Sequence, residues 1–178
     1  MTDAVDQPGV IPGRPDAANP FVWQVVSEMT IRGVTLAVAE SLTGGLLTAE
    51  FVRPPGASAV LLGGVVAYET SIKHSVLGVD QKLLDEHGPV HPLVAEQMAS
   101  NVRDVLAVGG KPADIGLSTT GVAGPDPHQD QQPGLVYIGI AIGDSVESIE
   151  LHLDGTRDQI RAKAVSEAVA ALGERLGR

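Results

Sequence analysis

Val34-Thr35-Leu36-Ala37-Val38-Ala39 runs straight into Glu40-Ser41-Leu42-Thr43-Gly44-Gly45. The first six residues are mostly apolar and rich in β-branched side chains, which predicts a buried strand. The next six break that strand with hydroxyls and a glycine pair. A short helix is then expected through about Val52, stopped by Pro54-Pro55-Gly56. A buried strand that turns on glycines into a helix is the opening move of an α/β fold.

The same alternation extends in both directions. Upstream, Asn19-Pro20 reads as a helix cap and first turn, Val22, Val25, Val26 and Met29 recur at helical spacing, and Gly33 supplies the stop. Residues 1–18, with Pro8, Gly9, Pro12, Gly13 and Pro15, read as a tail, leaving 19–178 as a single domain. Downstream, Gly64 to Tyr68 reads as a second strand, Thr70 to Leu77 as a helical stretch, and Asp80 as the cap of a turn to Glu86. Pro92 opens a helix with Val94, Met98, Val102 and Val105 on one stripe. Ala113 to Ser118 reads as a third strand, followed by a long loop from Gly121 to Gly134. Leu135–Ile142 and Val146–Leu153 form an expected hairpin across Gly143-Asp144. Thr156-Arg157-Asp158-Gln159 matches a capping box for a last helix bearing Ile160, Ala164, Ala168 and Leu172. The predicted class is α/β, a three-layer α/β/α sandwich around a mixed sheet.

Composition narrows what such a domain can do. The chain has 178 residues, about one domain's worth, and no cysteine, which excludes disulfide scaffolds and thiolate chemistry. Twelve basic residues face twenty-two acidic ones, a net charge of −10 that argues against a nucleic-acid partner. Only Phe21, Trp23, Phe51, Tyr68 and Tyr137 are aromatic, too few for base stacking. Apolar runs such as Ala59 to Ala67 fall far short of the ~20 residues of a membrane span. The N-terminal residues show no apolar signal region, so a cytoplasmic protein without a membrane partner is expected.

Three predicted loops leave strand C-termini, where open α/β sheets bind ligands. They are Glu40 to Gly45, Tyr68 to Lys73, and Thr119-Thr120-Gly121-Val122-Ala123-Gly124-Pro125. The first offers helix-start N–H groups to an anion, or is a tight turn with Ser41 and Thr43 as caps. It lacks the Gly-Lys-Ser/Thr of a P-loop. Lys73, if desolvated beside a strand end, can act as a base for a serine; the alternative is an exposed helix lysine. Arg157, opening the last helix, suits a phosphate, or pairs on the surface with Asp154 or Asp158. His74, His87, His91, His128 and His152 show no metal-ligand spacing. The polar group Asp126, His128 and Asp130 reads as a solvated loop rather than a metal site. No metal and no cofactor are expected.

Several stretches, taken in order, resemble the CinA C-terminal domain family, the nicotinamide mononucleotide deamidases. They are Ala39-Glu40-Ser41-Leu42-Thr43-Gly44-Gly45, Gly64-Val65-Val66-Ala67-Tyr68 with Lys73, Leu77-Gly78-Val79, Met98-Ala99, Thr120-Gly121-Val122-Ala123-Gly124-Pro125, and Gly155-Thr156-Arg157 with Arg161. The resemblance runs from about Phe21 to Leu176. It implies a metal-independent amidohydrolase of pyridine nucleotide salvage that converts nicotinamide mononucleotide to nicotinate mononucleotide and ammonia, and it implies a homodimer. Carried over by position, Ser41 or Ser58 is the nucleophile, Lys73 the base and Tyr68 a supporting group. Thr43, Gly44, Gly45, Thr120, Gly121 and Arg157 hold the nucleotide substrate. The sequence departs from the family at Pro125-Asp126-Pro127-His128, where Asp-Gly-Gly usually follows the proline, and at Gly88-Pro89-Val90-His91, where a serine is lost. Two further readings stay open: a binding module for a pyridine nucleotide or a partner without turnover, and a hydrolase of a related amide.

Overall fold

The computed structural model describes residues 20–177; the expected tail and the Asn19 cap lie outside them. Six helices and five strands follow in the order α1 (Pro20–Arg32), β1 (Leu36–Glu40), α2 (Leu46–Val52), β2 (Leu61–Val66), α3 (Thr70–Ser75), α4 (Gln81–His87), α5 (Pro92–Val105), β3 (Ile115–Gly121), β4 (Leu135–Ile142), β5 (Ser145–His152) and α6 (Arg157–Arg175). A single 3₁₀ turn, Ala57–Ala59, sits between α2 and β2.

The strands form one sheet in the order β2-β1-β3-β4-β5. β2, β1 and β3 run parallel, while β3, β4 and β5 are antiparallel. The sheet is mixed and carries helices on both faces, as the alternation of elements predicts.

The two faces differ in side-chain size, and that difference sets how close each helical layer sits. On β1, Leu36 and Val38 join α1, α2 and α6 in a core with Met29, Leu47, Phe51, Val169 and Leu172. Ala37 and Ala39 point the other way, with Met98 and Val102 of α5, as strand alternation requires. β3 and β4 repeat the pattern: Ile115, Leu117, Ile138 and Ile140 belong to the first core, while Gly116 and Gly139 lie under α5. A Cβ on Gly116 would stand 1.8 Å from the Ala99 carbonyl oxygen, and one on Gly139 would stand 2.2 Å from that of Ala95. Small residues therefore let the α5 backbone rest directly on the sheet, where the Ser118 hydroxyl donates to the Ala95 carbonyl at 2.6 Å. The expected stripe of α5 holds at Val94, Met98 and Val102, but Val105 is exposed; Ala95 and Ala99 complete the buried face.

Two strand boundaries shift from the sequence reading, both beside the site. β2 runs Leu61–Val66 rather than Gly64–Tyr68. The chain leaves the ladder at Ala67, whose carbonyl accepts from Lys73 Nζ at 2.8 Å instead of from a strand. β3 extends through Thr119, Thr120 and Gly121, which pair with Ile138, Tyr137 and Val136. Their polarity suggests a loop, yet each hydroxyl finds a buried partner. Thr119 shares a hydrogen bond with Thr43 (2.8 Å), and Thr120 donates to the Pro89 carbonyl (2.7 Å).

Candidate functional site

β1, β2 and β3 are parallel, so their C-terminal ends lie along one edge of the sheet. The residues that follow them line a crevice of about 430 Å³ there. Its floor holds Ser41 and Lys73. Thr120, Gly121, Val122 and Ala123 form one wall with Pro89 and Val90. Tyr68, Glu69, Asp126, His128 and Arg157 stand at its sides.

Lys73 is the dominant feature. It belongs to α3, and its side chain is fully buried, 1% exposed. Nζ donates to Ser41 Oγ at 3.0 Å and to the Ala67 carbonyl at 2.8 Å. Among the described residues no carboxylate lies within ion-pair distance of it. Burial of the ammonium pushes the Lys73 pKa down to about 8, against a smaller upward pull from Glu69. The exposed helix lysine that the sequence left as an alternative is thereby set aside.

Glu69 is where strand alternation misleads. That pattern turns its side chain away from Tyr68 and the crevice, but β2 has already ended at Val66. Glu69 instead caps α3, accepting from the Ser71 N–H at 2.7 Å and from the Ser71 hydroxyl. Those hydrogen bonds hold its carboxyl below the usual range, so it is a charge at the crevice edge.

Arg157 bridges two rims of the crevice. Nη1 donates to the Gly124 carbonyl at 2.6 Å, and Nη2 donates to the Tyr68 hydroxyl at 3.0 Å. The capping box expected at Thr156 is present, with Thr156 Oγ1 accepting from the Gln159 N–H and the Gln159 side chain accepting from the Thr156 N–H. That box fixes where α6 begins and so where Arg157 stands.

The structure brings Ser41, Lys73, Tyr68, Thr120, Gly121 and Arg157 to this one crevice, and leaves four named residues off its walls. Ser58 is exposed on the 3₁₀ turn before β2, at the other end of that strand, in a surface hollow with Thr48, Arg53 and Pro54. Thr43 is fully buried, its hydroxyl spent on Thr119. The Gly45 N–H donates to the Glu40 carboxylate at 2.9 Å, which also takes the N–H groups of Leu47 and Thr48. Gly44 donates its N–H to the Ser41 carbonyl at 3.2 Å. The anion site expected at the start of α2 is therefore already filled by the chain's own carboxylate, because Glu40 sits one residue before the turn and folds back over it. Glu40, Glu69, Pro89, Val90, Asp126 and His128 are crevice or turn residues to which the sequence reading attaches no catalytic or binding role. Ser41 and Thr43 are the caps that the tight-turn reading expects; the structure gives that role to Glu40, the acid just before the turn. Among the described residues no group of three or more His, Asp or Glu side chains is placed to hold a metal ion, and no helix is long and apolar enough to cross a membrane.

The model of a family described as the CinA C-terminal domain matches residues 19–176. A CinA-like protein of Frankia casuarinae is 43% identical over 161 residues, 90% of this chain and 35% of its own length. A relative from Caldanaerobacter subterraneus subsp. tengcongensis is 47% identical over 145 residues, 81% of this chain and 34% of its own. The chain spans about a third of the length of the curated relatives it matches. Among solved structures, a competence-damaged protein (CinA) superfamily protein from Klebsiella pneumoniae 700603 superposes with a TM-score of 0.85 at 28% identity, covering 91% of this chain and 99% of that one. A competence/damage inducible protein from Agrobacterium tumefaciens gives a TM-score of 0.81 at 28% identity, covering 92% and 98%.

Proposed function

The chain belongs to the CinA C-terminal domain family, and from that premise we propose that it is an amidohydrolase that deamidates nicotinamide mononucleotide through a Ser41–Lys73 dyad. The observation that carries the reading is the buried Lys73 amine 3.0 Å from the Ser41 hydroxyl, inside a crevice that also presents Arg157.

Neutral Lys73 takes the Ser41 proton as Oγ bonds to the carboxamide carbon, and the carbonyl electron pair moves onto oxygen. Collapse of that intermediate breaks the C–N bond. The leaving nitrogen takes the proton from the Lys73 ammonium and departs as ammonia, leaving an ester on Ser41. Water then adds to the ester carbon and gives a proton to Lys73. The Oγ–C bond breaks, Ser41 recovers the proton, and the nicotinate carboxyl is released. With a pKa of about 8, a fraction of Lys73 is already neutral at pH 7 and can take the proton. Arg157 retains donor capacity toward a phosphate beside its bonds to Gly124 and Tyr68. Tyr68 contributes by orienting that guanidinium rather than by touching the dyad. Ser58 has no comparable partner, so Ser41 is the nucleophile of choice. The family resemblance extends the reading to a cytoplasmic homodimer, and light scattering of the purified protein tests the dimer.

The direct experiment is incubation of purified protein with nicotinamide mononucleotide. Ammonia and nicotinate mononucleotide should form in equal amounts, and Ser41→Ala should abolish both while Ser58→Ala leaves them. Arg157→Ala should raise KM for the nucleotide about tenfold or more, with kcat much less affected. Unchanged turnover in Ser41→Ala refutes the dyad. An Arg157→Ala variant with the original KM refutes the phosphate contact.

A further inference from the structure

We propose that Arg161 is a positioning residue for the reaction, acting with Glu40 as a two-ended clamp that fixes the peptide groups directly after Ser41. The inference rests on the reading of Ser41 as nucleophile and goes beyond it by naming what holds that nucleophile's turn.

One end of the clamp is Glu40, which is fully buried. Its Oε2 accepts from the N–H groups of Gly45 and Leu47 at 2.9 and 3.1 Å. Its Oε1 accepts from the Thr48 N–H at 2.7 Å and the Thr48 hydroxyl at 2.6 Å. Both oxygens are occupied by donors, so this carboxylate, although adjacent in sequence to Ser41, anchors the turn and does not accept the serine proton. The other end is Arg161, reaching from α6. Nε donates to the Leu42 carbonyl at 3.0 Å, and Nη2 donates to the Thr43 carbonyl at 3.1 Å. Nη1 lies 3.5 Å from Asp158. Acid holds the N–H groups and arginine holds the carbonyls of the same short turn.

The clamp has a directional consequence. A peptide group is planar and trans, so fixing a carbonyl fixes the N–H of the following residue on the opposite side. With its Leu42 carbonyl held toward α6, the Leu42–Thr43 peptide turns the Thr43 N–H away from α6. α6 packs in the core of one sheet face, and α3, which carries Lys73, lies on the other. Thr43 is fully buried, so the clamp acts inside the turn and fixes the peptide planes that follow Ser41 rather than meeting substrate. With those planes fixed, Ser41 at the head of the turn is held at one position, its Oγ 3.0 Å from Lys73 Nζ. Gly44 permits the turn with φ +58°, and a Cβ there would lie 3.5 Å from Arg161 Nη2. Arg161 does not itself line the crevice. Its loss should loosen the turn and leave substrate contacts in place.

The test separates kcat from KM and adds a readout independent of substrate. Arg161→Ala should lower kcat for nicotinamide mononucleotide by about 10- to 100-fold, the scale expected of a misplaced reacting group, with KM changed less than about twofold. The rate of Ser41 labelling by a fluorophosphonate, followed by intact mass, should fall in parallel, and free guanidinium ion should partly restore it. Arg161→Lys keeps the charge but not the planar fork, so it should stay slow; it also serves where the alanine variant does not fold. Wild-type kcat and labelling rate in either folded variant overturn the clamp, as does a raised KM with unchanged kcat. If the unsubstituted protein is not labelled at Ser41, or Ser41→Ala retains turnover, the nucleophile reading falls and takes the clamp with it. Normal Ser41 chemistry with an indifferent Arg161 overturns the clamp alone.

Discussion

Lys73 combines a charged headgroup with an environment that disfavours charge. Its amine is buried, with a serine hydroxyl and one carbonyl as partners, and burial brings its pKa to about 8. Below that value the folded protein carries a desolvated ammonium. Between pH 8 and the unfolded value of 10.5 the unfolded chain holds the proton and the folded chain does not. Unfolding then takes up a proton, so stability rises with pH across that window, by about 3 kcal/mol in total. Lys73→Met should flatten the rise, which urea unfolding at pH 7.5 and pH 10 would measure. Activity should follow the same group, climbing with pH to a plateau above about 8. Glu69 pulls the lysine pKa upward, so Glu69→Gln should move that limb to lower pH, and a pH–kcat profile reads the displacement. Lys73→Arg, protonated throughout, should lose about 10²–10⁴-fold in kcat, the usual worth of a general base. A variant that keeps most of its turnover would show that charge, not proton transfer, is what the site uses.

Elements matter here mainly for where they begin. α3 starts at Thr70 because the Glu69 side chain accepts from Ser71, and that start places Lys73 one turn later, where its amine reaches Ser41. α5 starts at Pro92 behind His91, whose ring nitrogen accepts from the Leu93 N–H. The carbonyl of Pro89, just upstream, then meets the Thr120 hydroxyl. α6 starts at a reciprocal capping box, with Arg157 as its first residue. Thr156→Ala removes the side-chain acceptor of that box and should cost about 1 kcal/mol, lowering Tm by about 2–4 °C for a chain of this size. Because Arg157 is fixed by the same turn, the variant should also raise KM for the nucleotide, while a neutral change farther along α6, such as Ser166→Ala, should leave both alone.

At the scale of the whole molecule, the two sheet faces are unequal. Large aliphatic side chains separate the sheet from α1, α2 and α6, whereas α5 rests on Gly116 and Gly139 with its carbonyls almost in contact. Those glycines are needed for space. A methyl group at either position overlaps backbone, which cannot rotate away, so Gly116→Ala and Gly139→Ala should each destabilise by about 3 kcal/mol or more, at the upper end of overpacking costs. Gly143→Ala meets no atom within 4 Å but sits at φ +58°, and should cost only about 1 kcal/mol of backbone strain. Thermal unfolding of the three variants ranks them. A mild Gly139→Ala would show that α5 can lift off the sheet. The crevice would register such a shift, since Pro89 and Val90 lead directly into that helix.

The order and type of elements were decided locally. Periodicity, caps and glycine stops are properties of short windows, and they set α1, α2, α5, the β4–β5 hairpin and α6 within a few residues. The ordered motifs from Ala39 to Arg161 likewise carried the family. What only the tertiary structure decided concerns energies supplied by residues far away in the chain. Thr119 and Thr120 look like a loop until Thr43 and the Pro89 carbonyl satisfy their hydroxyls inside the sheet. Local sequence favours Ser41 over Ser58 only by its place after a strand and beside glycines; the Lys73 amine next to Ser41 comes from 32 positions away. The glycine turn reads as an open anion site until Glu40 folds over its N–H groups and Arg161, more than a hundred residues on, takes its carbonyls. Desolvation of Lys73 has no signature in its neighbours along the chain, because it is the packing of α3 and the strand ends around the amine that removes the water.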